Sequence, residues 1–144
     1  ESKRGNKYMI KETEIAYLAG LFDGEGYVSY KKYPKKRPNN KKPYQTWNIQ
    51  MEVSMTDKSI IKYMHETLGV GSVNKRPPHK TSMGKKMQWR WRCGYRDAYK
   101  VCVLFWPYSH IKLEKIQKII EHYSQGEEAE NVVDLNFYKK SRLQ

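Results

Sequence analysis

Asp23 and Glu25 alternate with Gly24 and Gly26 directly after an apolar helical stretch. Glycines on both sides of Glu25 let the chain turn sharply and expose a backbone carbonyl beside the acids. Carboxylate and carbonyl oxygens gathered in one turn suit a hard cation such as Mg²⁺. That ion takes one or two carboxylates and completes its shell with water or phosphate oxygens. The plainer account of the same residues is an acidic turn closing a helix. The small residues Ala16, Ala19 and Gly20 add a second signal, because glycine inside a helix costs about 1 kcal/mol relative to alanine. A helix bears that cost where something approaches its backbone closely, commonly a second helix.

The setting of the two acids favours the cation. The 144 residues carry 28 Lys and Arg against 15 Asp and Glu, a net charge of +13. Residues 27–51 and 70–96 hold fifteen of those bases and none of the acids, so the remainder of the chain is close to neutral. The excess charge therefore forms a positive surface in two segments, suited to nucleic acid. A face that only confers solubility mixes both signs. An anionic membrane surface favours a basic amphipathic helix or a lipid-attachment signal, and neither occurs in these windows. No run is long enough to span a bilayer, and no signal-peptide pattern opens the chain. Carboxylates beside such a surface would repel phosphates, and a bound divalent cation removes that conflict. Cys93 and Cys102 are too few for a disulfide framework or a cysteine-only zinc site, which fits an intracellular protein.

Period-two alternation marks the elements that display the charge. Trp47, Ile49, Met51, Val53 and Met55 share one face of Thr46–Met55, with Thr46, Asn48, Gln50, Glu52 and Ser54 opposite. Met87, Trp89, Trp91 and Cys93 likewise oppose Lys86, Gln88, Arg90 and Arg92. Gly26–Tyr33 and Val70–Arg76 complete four strands, with Pro34, Pro38, Pro43 and Pro77-Pro78 as breakers between them. Helical spacing covers Thr13–Phe22 with Thr13 as N-cap, Asp57–Leu68 capped by Thr56 or Asp57 and stopped by Gly69, Asp97–Trp106, and Ile111–Tyr123. The expected fold is α+β, a four-stranded antiparallel sheet with helices on one face and the basic face open. Its polar face presents side chains that read base edges in a major groove. The Lys-rich loop at 31–42 suits phosphates. Stacking of single strands on Tyr27, Tyr33 and Tyr95 is the rival reading, but the tryptophans lie on the apolar faces, which favours a duplex. The 38% hydrophobic content supports one core, placed at 11–124, with a flexible arm at 1–10 and an extension packing on the domain at 125–144.

The stretch LAGLFDGEG, Leu18 to Gly26, resembles the signature of the LAGLIDADG homing endonucleases, with Phe22 for Ile, Gly24 for Ala and Glu25 for Asp. MTDKSIIKYM at 55–64, LGVGSV at 68–73 and WPYSHIK at 106–112 follow in the family's order, so the resemblance spans about residues 12–123. It implies an αββαββα fold whose saddle-shaped sheet lies in the DNA major groove. It also implies a site-specific, metal-dependent endonuclease that leaves short 3′ overhangs, of the kind carried by introns and other mobile elements. The chain has one copy of the motif, and single-motif members are homodimers on long pseudo-palindromic sites. Ala16, Ala19 and Gly20 would then form the interface between motif helices.

By the same resemblance Glu25 is the metal ligand, with the Gly24 carbonyl beside it and Asp23 in a supporting or structural role. The metal would be Mg²⁺, with Mn²⁺ able to substitute and Ca²⁺ binding without cleavage. Lys112 matches a basic residue near the scissile phosphate. Where one subgroup has a water-positioning Gln, this chain has Met55, Thr56 and Asp57, so Thr56 or Asp57 takes that place. Base contacts would come from Lys31, Tyr33, Asn48, Gln50, Ser72, Asn74, Arg76, Gln88, Arg90 and Arg92, and phosphate contacts from Lys35, Lys36 and Arg37. The partner is double-stranded DNA, with no membrane and no small-molecule substrate. A non-cleaving DNA-binding protein and an RNA-binding intron maturase are the alternatives on the same scaffold.

Overall fold

The computed structural model describes residues 10–124 apart from Asn40 and Ser82. The expected extension at 125–144, and the arm except for Ile10, lie outside the described residues. In chain order the elements are α1 (Glu12–Glu25), β1 (Gly26–Lys35), β2 (Tyr44–Met55), α2 (Lys58–Leu68), β3 (Ser72–Arg76), β4 (Gln88–Gly94), α3 (Tyr95–Phe105) and α4 (Leu113–Ser124). The strands form one antiparallel sheet in the order β1-β2-β4-β3. This is the expected α+β arrangement, and its deviations from the sequence reading are at the element ends.

Helix α1 starts at Glu12 rather than after a Thr13 cap. The Glu14 carboxylate accepts the Lys11 amide at 3.4 Å, and acids at Glu12 and Glu14 complement the positive end of the helix dipole. The helix also runs past Phe22 to Glu25, so the two acids sit in its final turn and not in a loop behind it. Pro34 does not break β1. It pairs with Gln45 on an edge strand, where proline's missing N–H is tolerated. Strand β4 begins at Gln88, not Lys86, because its partner β3 ends at Arg76, before two prolines. Strand β3 begins at Ser72, not Val70, because Gly71 turns with φ +91° under Trp91. A β-carbon on Gly71 would meet the Arg92 carbonyl oxygen and Trp91 Nε1, both at 2.7 Å. Helix α3 starts at Tyr95, two residues before the expected Asp97, and α4 starts at Leu113 rather than Ile111.

The alternation read in the sequence puts Val28, Ile49, Met51, Val53, Trp91 and Cys93 under the helices, where all are buried. Leu18 and Phe22 of α1, Ile61 and Met64 of α2, Val101 and Phe105 of α3, and Ile116 and Ile119 of α4 close over them. Removal of this apolar surface from water is the main force holding the layers together. The rings of Phe22 and Phe105 lie 5.7 Å apart and join α1 to α3. Burial pushes the Cys93 thiol up to about 12 and raises that of Cys102 as well, so both are packing groups and not thiolates. No helix among the described residues is long and apolar enough to cross a membrane.

No loop separates α1 from β1: Glu25 is the last helical residue and Gly26 the first of the strand. Gly26 is needed there for space, since a β-carbon would collide with the ring and the carbonyl of Phe22. Its φ of −84° makes no demand for glycine. Gly26→Ala should therefore destabilise by about 1–3 kcal/mol, the usual cost of overpacking. Urea unfolding would read this as a lower midpoint at unchanged slope.

Candidate nucleic-acid interface and acidic centre

The strand register assembles the polar side of the sheet row by row. Lys35 faces Tyr44, Tyr33 faces Thr46, Lys31 faces Asn48, and Ser29 faces Gln50 across β1 and β2. Glu52, Arg92 and Ser72 form one row across β2, β4 and β3. Ser54, Arg90 and Asn74 form the next, and Gln88 faces Arg76 beyond them. Every strand residue expected to touch bases thus lies on a single face: Lys31, Tyr33, Asn48, Gln50, Ser72, Asn74, Arg76, Gln88, Arg90 and Arg92, with Lys35 beside them. Lys36 and Arg37 lie in the β1–β2 loop, and the Arg37 guanidinium stacks 4.8 Å from the Tyr44 ring.

Several of these groups are engaged with one another, which spacing along one strand could not reveal. Asn48 donates to Ser29 Oγ at 2.9 Å, and Asn74 donates to Ser72 Oγ at 3.3 Å. Glu52 is the one acid in these rows, and its Oε1 accepts from Arg92 Nη2 at 3.0 Å and Nε at 3.2 Å. Ser29 was missed as part of this face, although the alternation in β1 places it there opposite Gln50.

At the end of α1 the two acids have opposite environments. Asp23 is buried, and its Oδ2 accepts the His110 amide at 2.8 Å while Oδ1 accepts the Lys112 amide at 3.1 Å. Lys112 returns the contact, its Nζ donating to the Asp23 carbonyl at 2.8 Å. The carboxylate therefore pins the 107–112 turn to the motif helix, and the helix holds the lysine's head in return. Glu25, two residues on, is exposed and forms no hydrogen bond or ion pair among the described residues. Gly24 is exposed beside it.

A hard divalent cation fits this donor set. Glu25 offers a free carboxylate, and the last-turn carbonyls of a helix, that of Gly24 among them, have no intrahelical partner. Asp23 has both oxygens committed to backbone N–H groups. Among the described residues no three His, Cys, Asp or Glu side chains cluster to hold a metal, and Glu25 is the unengaged acid of this turn. Water, phosphate oxygens or a second copy would complete the shell.

The other candidates, Thr56 and Asp57, lie between β2 and α2. Thr56 is exposed, one residue beyond β2. Asp57 is the N-cap of α2: its Oδ1 accepts from the Ser59 amide at 2.9 Å, the Ser59 hydroxyl at 2.6 Å and the Ile60 amide at 3.3 Å. Of the two caps the sequence allowed, Asp57 is the one used. Ala19 corrects the interface reading, for it is wholly buried in the chain's own core. The outward stripe of α1 runs through Ala16, Tyr17, Gly20 and Gly24 instead.

The sequence profile of the LAGLIDADG endonucleases matches residues 18–108, more than half of the chain. The chain belongs to this family. No curated protein sequence matches it. Among solved structures, the LAGLIDADG chain is similar to the homing endonuclease I-CvuI in complex with the I-CreI target in 2 mM Mg, where the DNA is not cleaved. That similarity has a TM-score of 0.63 at 16% identity, covering 91% of this chain and 81% of the other. It is also similar to the archaeal intron-encoded homing endonuclease I-Vdi141I complexed with DNA, with a TM-score of 0.59 at 13% identity over 91% and 80% of the two chains. A third similarity is to the LAGLIDADG homing endonuclease I-SmaMI bound to cleaved DNA, with a TM-score of 0.54 at 16% identity. There 89% of this chain covers only 42% of the other. These likenesses establish a shared fold.

The capping bonds from Ser59 and Ile60 hold the Asp57 carboxyl below its ordinary value of 3.8. A depressed carboxylate contributes stability that is present above that value and lost as pH falls through the folded-state value. The difference in melting temperature between the parent and Asp57→Ala should thus be largest near neutrality and shrink below about pH 4. Thermal melts across an acid series measure it.

Proposed function

We propose that this LAGLIDADG chain is a homodimeric homing endonuclease. It cleaves a long pseudo-palindromic duplex by divalent-metal-dependent phosphodiester hydrolysis and leaves short 3′ overhangs. The observation that carries this reading is the junction at Glu25: a free, exposed carboxylate at the edge of a polar, mostly basic sheet face, next to a lysine anchored on the same helix. Glu25 and the Gly24 carbonyl would hold Mg²⁺, or Mn²⁺ in its place. Bound there, the metal would lower the pKa of a water and neutralise charge on the leaving oxygen. Asp23 keeps the 107–112 turn in register with Glu25. Lys112 places a positive head group where charge builds on the phosphate. Thr56, exposed just past β2, remains the candidate for orienting water, while Asp57 serves the helix it caps.

The glycines of α1 support the second copy. A β-carbon on Gly20 or Gly24 would meet nothing within 4 Å, so nothing in this chain calls for glycine at either place. Helix propensity favours alanine there. Close approach of a partner's motif helix supplies the missing reason, with Ala16 and the half-exposed Tyr17 in the same stripe. Gly20→Leu should leave a folded monomer that has lost cleavage, with dimer and monomer distinguished by sedimentation. A variant still dimeric and active would place the interface elsewhere.

Cleavage of a randomised duplex library in Mg²⁺, with Glu25→Gln alongside and Ca²⁺ as the non-catalytic ion, tests the activity. Specific cuts are expected from the parent, falling to background in the variant while DNA binding persists. Specific binding with no cuts under any divalent ion would instead identify a DNA-binding protein that does not cleave. RNA competing with DNA for the same face would identify a maturase.

A further inference from the structure

Arg90 and Arg92 occupy successive outward positions of β4, and nothing in their spacing tells them apart. Their surroundings do. Arg92 donates twice to Glu52, its cross-strand neighbour, from Nε at 3.2 Å and Nη2 at 3.0 Å. Arg90 has no acid opposite it. Its Nε is buried without a hydrogen-bond partner, and so is the hydroxyl of Ser54, the residue directly across on β2. Three buried side-chain polar atoms among the described residues lack a partner, and two of them belong to this one cross-strand pair. On the other side Arg90 faces Asn74, whose amide is turned to Ser72.

Buried N–H and O–H groups without partners are costly and uncommon, and a pair of them on a face that awaits a ligand points to groups satisfied only when the ligand is present. We propose that Arg90, with Ser54 beside it, reads a guanine in each half-site of the DNA target, and that Glu52 withholds Arg92 from base contact. This rests on the reading of the face as a duplex-binding surface. The planar guanidinium matches the N7 and O6 acceptors of guanine in the major groove. Arg90 gains partners by lifting from the sheet into the groove. Arg92 would have to surrender two charge-assisted hydrogen bonds. It would also leave the Glu52 carboxylate unpaired on a surface that meets phosphates. Arg92 and Glu52 together form a neutral patch on this face, and Arg90 supplies the discriminating contact.

The test is selection of bound sequences from a randomised duplex library in Ca²⁺ by the parent, Arg90→Lys and Arg92→Lys, with thermal melts confirming that each variant is folded. The parent should enrich a guanine at one position of each half-site. Arg90→Lys keeps the charge but loses the fork, so the dependence of binding on salt should stay close to the parent's while affinity for the parent's preferred site falls. The guanine preference should fall by about ten- to a hundredfold. Arg92→Lys should retain the preference and melt lower, having lost part of its contact with Glu52. A guanine preference that survives Arg90→Lys, or that vanishes with Arg92→Lys instead, overturns the assignment. A parent that enriches no duplex overturns the DNA-binding reading itself, which is a separate result from a failure confined to the arginine comparison.

Discussion

The buried carboxylate of Asp23 accepts two backbone amides from the turn that follows α3, and the arrangement of the acidic centre follows from those two bonds. Helix α1 and the 107–112 turn are far apart in sequence, and no strand pairing joins them. Without the carboxylate, the two amides would be part-buried donors lacking acceptors, a cost of the order of 1–3 kcal/mol for each buried group. With it, the turn is fixed against the last helical turn and Lys112 is brought back onto the Asp23 carbonyl. The two acids of the motif thus divide their duties by environment. Asp23 is buried with an amide donor on each oxygen, whereas Glu25 is exposed and free. Only the second is available to a ligand.

The same division of labour extends over the sheet. One side of each strand is given to the core and the other to charge, and the register sets which polar groups neutralise one another. The pairing of Arg92 with Glu52 lowers the positive charge in one row and leaves the adjacent row, Arg90 with Ser54 and Asn74, without an acid. A basic surface of this type attracts a polyanion from a distance, while the polar groups that stay unsatisfied determine where it comes to rest.

Much of this was legible in the residues. Strands β2 and β4 alternate cleanly because helices cover one side of them, and a slip of one position would bury Gln50 or Arg90 in place of Met51 or Trp91. Gly69 ends α2 as expected, in the left-handed conformation with φ 73°. The motif itself marked Asp23 and Glu25. What stayed hidden depends on contacts between distant parts of the chain. The turn held by Asp23 lies 87 to 89 residues away. The meeting of Glu52 and Arg92 depends on the β2–β4 register, and α2 and β3 intervene between those strands. The exclusion of Ala19 from the outer stripe follows from which side of α1 faces the sheet, a rotation that its weakly amphipathic sequence leaves undetermined. The start of β4 was set by the prolines that end its partner β3, and the start of β3 by the turn at Gly71 against Trp91.

The direct passage from α1 into β1 has a mechanical consequence. With Glu25 ending the helix and Gly26 opening the strand against Phe22, there is no slack between the carboxylate and the first residue of the sheet. Glu25 is thereby tied directly to the sheet face proposed to meet DNA. In the proposed nuclease, a sheet tilted by a poorly matched duplex would carry the carboxylate out of line with the phosphate. Fidelity would then be expressed in turnover as well as in residence on the DNA, because alignment at the reacting atoms is inherited from the fit of the whole face.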